Sequence, residues 1–195
     1  MSSPRRIFLG YDRSEVIAFH VLVHSIIRRT QQSVSITPLG NSTLPPDIWQ
    51  RPRGQLDSTE FSTARFMVPY LCGYRGWACF MDSDMLCQAD IEELFQCADE
   101  RYALMVRQHD HRPQYQTKFL NQPQTQYHRK NWSSLMLFNT QHPACQSLTP
   151  DYVNRASGLE LHRFEWCPSD AIGALPDGWN VLLDHAPAKA LERTA

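Results

Sequence analysis

Short apolar runs, broken by polar stretches bearing proline and glycine, follow one another along the chain, and their period alternates between two and that of a helix. Arg6-Ile7-Phe8-Leu9-Gly10 reads as a strand ending at Tyr11-Asp12. Val16, Phe19, His20, Val23 and Ile27 then recur at helical spacing. Asp12 or Ser14 is placed to cap that helix, Glu15 suits its first turn, and Arg28-Arg29 suit its negative end. Ser33 to Leu39 alternates as a second strand, and Pro45-Pro46, Pro52 and Gly54 mark a loop. Thr63 to Leu71 reads as a helix interrupted by Pro69 and closed near Gly73, and Gly76 opens the apolar strand Trp77-Ala78-Cys79-Phe80-Met81. Asp90 is placed to cap a helix containing Ile91, Leu94 and Phe95. Tyr102 to Val106 and Ser134 to Phe138 are further expected strands. Residues 112–130, rich in Gln and carrying Pro113 and Pro123, read as a long loop of the functional kind. Asp151 to Arg155 and Asp170 to Ala174 read as short helices.

This alternation predicts an α/β layer fold, a mostly parallel central sheet flanked by helices, in one domain over residues 1–195. A formal net charge of −1 gives no electrostatic reason to expect nucleic acid or a membrane surface as partner. No run approaches the roughly 18 apolar residues of a membrane span, and Met1-Ser2-Ser3-Pro4-Arg5-Arg6 does not introduce a signal peptide. Cys72, Cys79, Cys87, Cys97, Cys145 and Cys167 form no CxxC pair. The expectation is six reduced thiols in a cytoplasmic protein. GxGxxG, GxxxxGK[ST] and GxSxG are all missing, which leaves dinucleotide, P-loop and serine-hydrolase readings without support.

The chemistry concentrates in Asp82-Ser83-Asp84, directly after an apolar strand. Residues i and i+2 of an extended chain face the same way, so two carboxylates project together. Two readings are open: solvated loop acids, or ligands of a hard divalent cation that bridges carboxylates to a phosphate. In open α/β sheets ligands bind beyond the carboxyl ends of the strands. Asp12, the Asp82/Asp84 pair and His109-Asp110-His111 all fall at such ends, which favours a shared metal or phosphate site. His20 and His24 lie four apart without the Glu of HExxH and read as packing or surface residues. Trp132, Trp166 and Trp179 read as packing residues, with stacking on a sugar or base as the alternative. Lys118, Arg129 and Lys130 are either solvated loop charges or within reach of a diphosphate.

The segment from Phe61 to Leu71, with Arg65 inside it, followed by Gly76 to Leu86 and then Asp90-Ile91-Glu92-Glu93-Leu94-Phe95, resembles a nucleotide-sugar glycosyltransferase. It is similar to the retaining family 8 group of GT-A fold, the glycogenin and bacterial lipopolysaccharide sugar transferase group, from about Ile7 to Asn180. The resemblance implies a GT-A type nucleotide-diphospho-sugar transferase fold. It also implies metal-dependent, retaining transfer of a hexosyl group from a UDP-sugar or other nucleotide sugar to a saccharide or other hydroxyl acceptor. Asp82 and Asp84 would hold Mn²⁺ or Mg²⁺ against the donor diphosphate. Asp12, Arg65, Ser83, Lys118, Asn131 and Ser133 would bind the donor, and Asp170 would stand near the reacting sugar. The chain departs from the group's pattern at Trp132, where Asn is usual, and at Ala171, where Gln is usual. It also carries Glu192 where the group's later metal-binding His would come. These departures, and a tail that reads as shortened, motivate the alternative of a non-catalytic nucleotide-sugar-binding protein. An aspartyl-nucleophile phosphatase, the third reading, usually carries Thr or Val where this chain has Leu86.

Overall fold

The structure, a computed structural model, describes residues 3–54, 57–109 and 129–183. Six strands form one sheet: β1 (Arg5–Gly10), β2 (Val34–Leu39), β3 (Trp77–Met81), β4 (Leu104–Val106), β5 (Leu135–Asn139) and β6 (Ile172–Ala174), in the order β2-β1-β3-β5-β4-β6. β2, β1 and β3 pair in parallel, as do β4 and β6, while β5 runs antiparallel between β3 and β4. The expected mostly parallel α/β sheet is therefore present. In register, Leu9 lies beside Met81, Met81 beside Leu135 and Met136 beside Val106. The carboxyl ends of β1, β3 and β4 and the amino end of β5 thus share one rim.

Both faces of the sheet are covered, which is why its strands read as nearly continuous apolar runs. Phe8, Phe80, Phe138 and Leu104 point to one face, against residues 61–72 and 145–172. Ile7, Leu9, Cys79 and Leu137 point to the other, against α1 (Val16–Arg29) and α3 (Ile91–Gln96). α3 begins as expected, with the Asp90 side chain accepting from the Glu92 amide at 2.9 Å. All six cysteines are free thiols. Among the described residues no helix is long and apolar enough to cross a membrane.

Several elements differ from the sequence expectation. The buried stripe of α1 is Phe19, Leu22, Ser25 and Ile26, while His20, His24 and Ile27 are exposed. Apolar residues occur on more than one side of this helix, and a satisfied serine hides the true face. Ser25 Oγ donates to the Leu22 carbonyl and accepts from the Cys87 amide. The helix expected over Thr63 to Leu71 is a 3₁₀ turn, Ala64–Met67, running into α2 (Val68–Leu71), because Pro69 suits only a first helical turn. β4 starts at Leu104 rather than Tyr102, and β5 at Leu135. The helix expected over Asp170 to Ala174 is a single 3₁₀ turn, Ser169–Ala171, followed by β6. Gly173 explains this. A Cβ there would lie 2.6 Å from the Tyr102 ring, so the missing side chain lets β6 close against β4. α4 (Pro150–Arg155) matches the expectation, and α5 (Gly158–His162) has the capping box Ser157/Glu160 but was not expected.

Candidate functional site

The rim where β1 and β3 end and β5 begins carries the acidic turn. Asp82 leaves β3 with its amide still bonded to the Ser134 carbonyl at 2.9 Å, so β5 fixes where the turn starts. Its side chain is 18 % exposed, whereas Asp84 stands in solvent. The Asp82 carboxyl is pushed up to about 7 overall, with burial the largest cause. Arg65 and the Ser134 hydroxyl pull it down, and the charges of Asp84 and Glu15 push it further up.

Arg65 is buried beneath this turn. Its Nη1 lies 2.8 Å from Asp82 Oδ1 and donates to the Ser133 carbonyl at 2.8 Å, and its Nε donates to the Phe61 carbonyl at 3.2 Å. The guanidinium stacks over the rings of Phe80 and Phe61, with its carbon 4.9 and 5.4 Å from their centroids. The arginine of the 61–71 segment therefore reaches Asp82 directly. Although Nη1 is close, no hydrogen bond is aligned on Asp82 Oδ1, a buried oxygen with an ionic neighbour but no donor.

Ser83 is fully buried, and its hydroxyl donates to Glu15 Oε2 at 2.8 Å. Glu15, read from sequence only as a first-turn residue, thus turns its carboxylate toward the acidic turn.

Asp12, two residues past β1, is 2 % exposed. Its Oδ1 accepts from the amide and hydroxyl of Ser14 at 2.8 and 2.6 Å, its Oδ2 accepts from the Glu60 amide at 2.8 Å, and Arg53 stands 3.9 Å away. Burial alone would raise this carboxyl, but the Ser14 and Glu60 bonds, with Arg53, hold it below the usual carboxylate range. The carboxylate binds the corner after β1 to the segment before Phe61. Close backbone approach needs glycine here: a Cβ on Gly40 would lie 2.2 Å from the Tyr11 carbonyl oxygen.

Asn131 takes a left-handed conformation, φ 64°, and its carbonyl accepts from Asn180 Nδ2 at 3.1 Å. The buried Ser133 shares a hydrogen bond with His162 Nδ1 at 2.8 Å, and the His162 ring packs edge-on against Phe66. Trp132 donates from Nε1 to the His109 carbonyl and carries the Arg129 guanidinium over its ring. Trp166 is buried in the core on one face of the sheet, and Trp179 packs against the separate cluster on the other face. Asp170 is exposed on the turn before β6, and by register that strand starts at the end of the β4/β6 pair away from Asp82. The rim therefore brings together Asp12, Arg65, Asp82, Ser83, Asp84 and Ser133, with Asn131 beside them in sequence. Lys118 and Glu192, with Asp110 and His111, lie outside the described residues. The partners Glu15, Glu60 and His162 were not singled out from sequence, and only the Ser14-Glu15 placement next to Asp12 carried any hint of them.

Among the described residues no group of three or more His, Cys, Asp or Glu side chains converges as a metal site. The donor set nevertheless fits a hard divalent cation of the kind that takes one or two carboxylates and completes its shell with phosphate oxygens and water. Asp82 and Asp84 offer those oxygens, one of them a buried Oδ1 without a donor.

The fold is that of the GT-A type glycosyltransferases. Solved structures similar to it include the WbbM bifunctional glycosyltransferase, with TM-score 0.64 and 15 % identity over 92 % of this chain and 40 % of that one. GlyE of Streptococcus pneumoniae matches with TM-score 0.58 and 11 % identity over 92 % and 47 %. The galactosyltransferase LgtC, solved with donor and acceptor sugar analogues, matches with TM-score 0.55 and 11 % identity over 89 % and 74 %. The chain thus spans less than half the length of WbbM and GlyE. No protein-family model matches. In sequence, Protein CDI of Arabidopsis thaliana is 48 % identical over 183 residues, 93 % of this chain and 71 % of that protein. The chain belongs to the Protein CDI family.

Proposed function

We propose that this protein is a metal-dependent, retaining glycosyltransferase that moves a hexosyl group from a nucleotide-diphospho-sugar, a UDP-sugar first among them, to a hydroxyl of a saccharide or similar acceptor. The observation that carries this reading is the acidic turn Asp82-Ser83-Asp84 at the shared strand rim of a GT-A type sheet, with the Asp82 carboxyl destabilised in its charged form by burial and by Asp84 and Glu15. Such a cluster gains most from a bound cation.

In this reading Asp82 and Asp84 hold Mn²⁺ or Mg²⁺. When bound, the ion supplies positive charge against the diphosphate that departs from the sugar. The residues of the chain prepare the site for it. Arg65 fixes Asp82 from below, and the Ser134 carbonyl fixes the amide of the same residue. Asp12, held ionised by its three donors, keeps the corner after β1 in place beside the donor's nucleoside. Asn131 and Ser133 border the donor just before β5, and Lys118 is a candidate to bind the diphosphate. Asp170, before a strand that starts at the end of the sheet away from Asp82, is left without a role in this reading. Six free thiols suit a reducing compartment such as the cytoplasm.

The test is release of UDP from a panel of UDP-sugars with saccharide acceptors, in Mn²⁺, in Mg²⁺ and in chelator. Release that requires the cation and falls at least about a hundredfold in Asp84→Asn supports the proposal. The anomeric configuration of the product, read by NMR, tests retention. UDP binding by calorimetry without turnover would establish the non-catalytic binding protein instead, and neither binding nor release would end both readings.

A further inference from the structure

Glu15 is fixed at both ends of its backbone. Its amide donates to the Asp12 carbonyl at 3.0 Å and its carbonyl accepts from the Phe19 amide at 3.2 Å, so its place at the start of α1 is set by the helix and by the Asp12 corner together. A carboxylate belongs there because the helix amino end is positive. Its side chain does not cap the helix but crosses to β3, where Oε2 takes the Ser83 hydroxyl at 2.8 Å. Ser83 is fully buried between the two acids of the turn, and this bond spans 68 residues of sequence.

Three fixings therefore act on three consecutive groups. The Asp82 amide is held by Ser134 and its carboxylate neighbours Arg65, and the Ser83 hydroxyl is held by Glu15. Asp84, exposed and last in the turn, follows the buried Ser83 directly in the chain. Short turns leave the next side chain free to swing unless the buried residue is pinned, and ligand orientation of this kind is commonly set by groups behind the ligands.

We propose that Glu15 is a positioning residue for the acidic turn: through its bond to Ser83 it holds Asp82 and Asp84 in the arrangement that receives a divalent cation. The cation itself rests on the functional reading above, whereas the positioning of the turn does not.

Two measurements separate these. Amide hydrogen exchange of the metal-free protein reads the turn alone. Glu15→Ala and Ser83→Ala each speed exchange of residues 82–86 by about tenfold or more, with the β1 and β5 amides unchanged, and the double variant is no faster than either single one. Glu15→Gln restores the protection, because its amide oxygen still accepts the Ser83 hydroxyl. Unchanged exchange in Glu15→Ala, additive effects in the double variant, or failure of Glu15→Gln to rescue would each overturn the proposal. Titration with Mn²⁺ alone then reads the cation. Affinity falls about tenfold in Glu15→Ala and recovers in large part in Glu15→Gln. Equal affinity in wild type and Glu15→Ala would overturn the link to the cation, and a wild-type protein that binds no Mn²⁺ would remove the metal reading while the exchange result decided the positioning.

Discussion

Arg65 and Asp82 form a contact in which a nearly inaccessible guanidinium supports a carboxylate at the lip of the sheet, Nη1 to Oδ1 at 2.8 Å. The same nitrogen bonds the Ser133 carbonyl, so one charge links the turn after β3, the turn before β5 and the 61–67 turn. Replacing Arg65 by Met leaves the Asp82 carboxylate, and the carbonyls of Phe61 and Ser133, without their cation. The expected cost is about 3–5 kcal/mol in urea denaturation. The Asp82 carboxyl, titrated by carbon NMR, moves further up in the variant, since Arg65 is the larger of the two groups that lower it. A smaller cost, or a downward movement, would show that the pair does not bear on either quantity.

Asp12→Asn exchanges one accepting oxygen for an NH₂ that must face the amide of Ser14 or of Glu60. The loss is about 1–3 kcal/mol at neutral pH, because a buried donor is left opposite another donor. The folded-state pKa of Asp12 is depressed, so its contribution is present above the unfolded value near about 3.9 and disappears as pH falls through the depressed one. The gap between the variant and wild type in thermal unfolding should accordingly narrow in acid and stay constant above about pH 5.

Asp82 works in the opposite sense. Its folded pKa of about 7 lies above the unfolded value, so whatever stability it lends is complete below that unfolded value and is lost as pH climbs toward and through 7. Metal-free Asp82→Asn should therefore gain on wild type as pH rises, by at most about 1.4 kcal/mol per pH unit, and the gain should level off above about pH 8. Denaturation midpoints at several pH values measure it, and a variant that loses ground with rising pH would contradict the assignment.

The thiols give a check on the core. Cys72, Cys79, Cys87, Cys145 and Cys167 are buried, and Cys97 alone is partly accessible. Burial raises the thiols of Cys72, to about 11, and of Cys167, to about 12, which removes the reactive thiolate. A disulfide reagent at neutral pH should label Cys97 first and the other five only on unfolding, as peptide mapping would show.

The sheet was legible in the sequence because strands buried on both faces read as unbroken apolar runs, and Ile7 to Leu9 and Trp77 to Met81 do so plainly. The acidic turn was legible from its position alone. The true face of α1 was not. Its buried Ser25 looks like a surface residue until the Cys87 amide is seen against its hydroxyl. Nor was β6, whose short polar approach and Gly173 have no strand signature apart from the Tyr102 ring that fills the glycine's empty side. The partners of the site residues were hidden for the same reason. Asp12, Ser83 and Arg65 are satisfied by Glu60, Glu15 and Ser133, groups remote in sequence that only the tertiary fold brings near.

That remoteness has a kinetic meaning. The Asp12–Glu60 bond closes a separation of 48 residues, and the Ser83–Glu15 and Arg65–Ser133 bonds each close 68. Contacts of such span form only after the entropy of long loops has been lost, so helices and local turns come first and the rim is assembled among the last features of the native state. A refolding chain regains its helical signal before it regains any capacity to hold a ligand, and the interval between the two is the time needed to join β3 to β5 and the Asp12 corner to both.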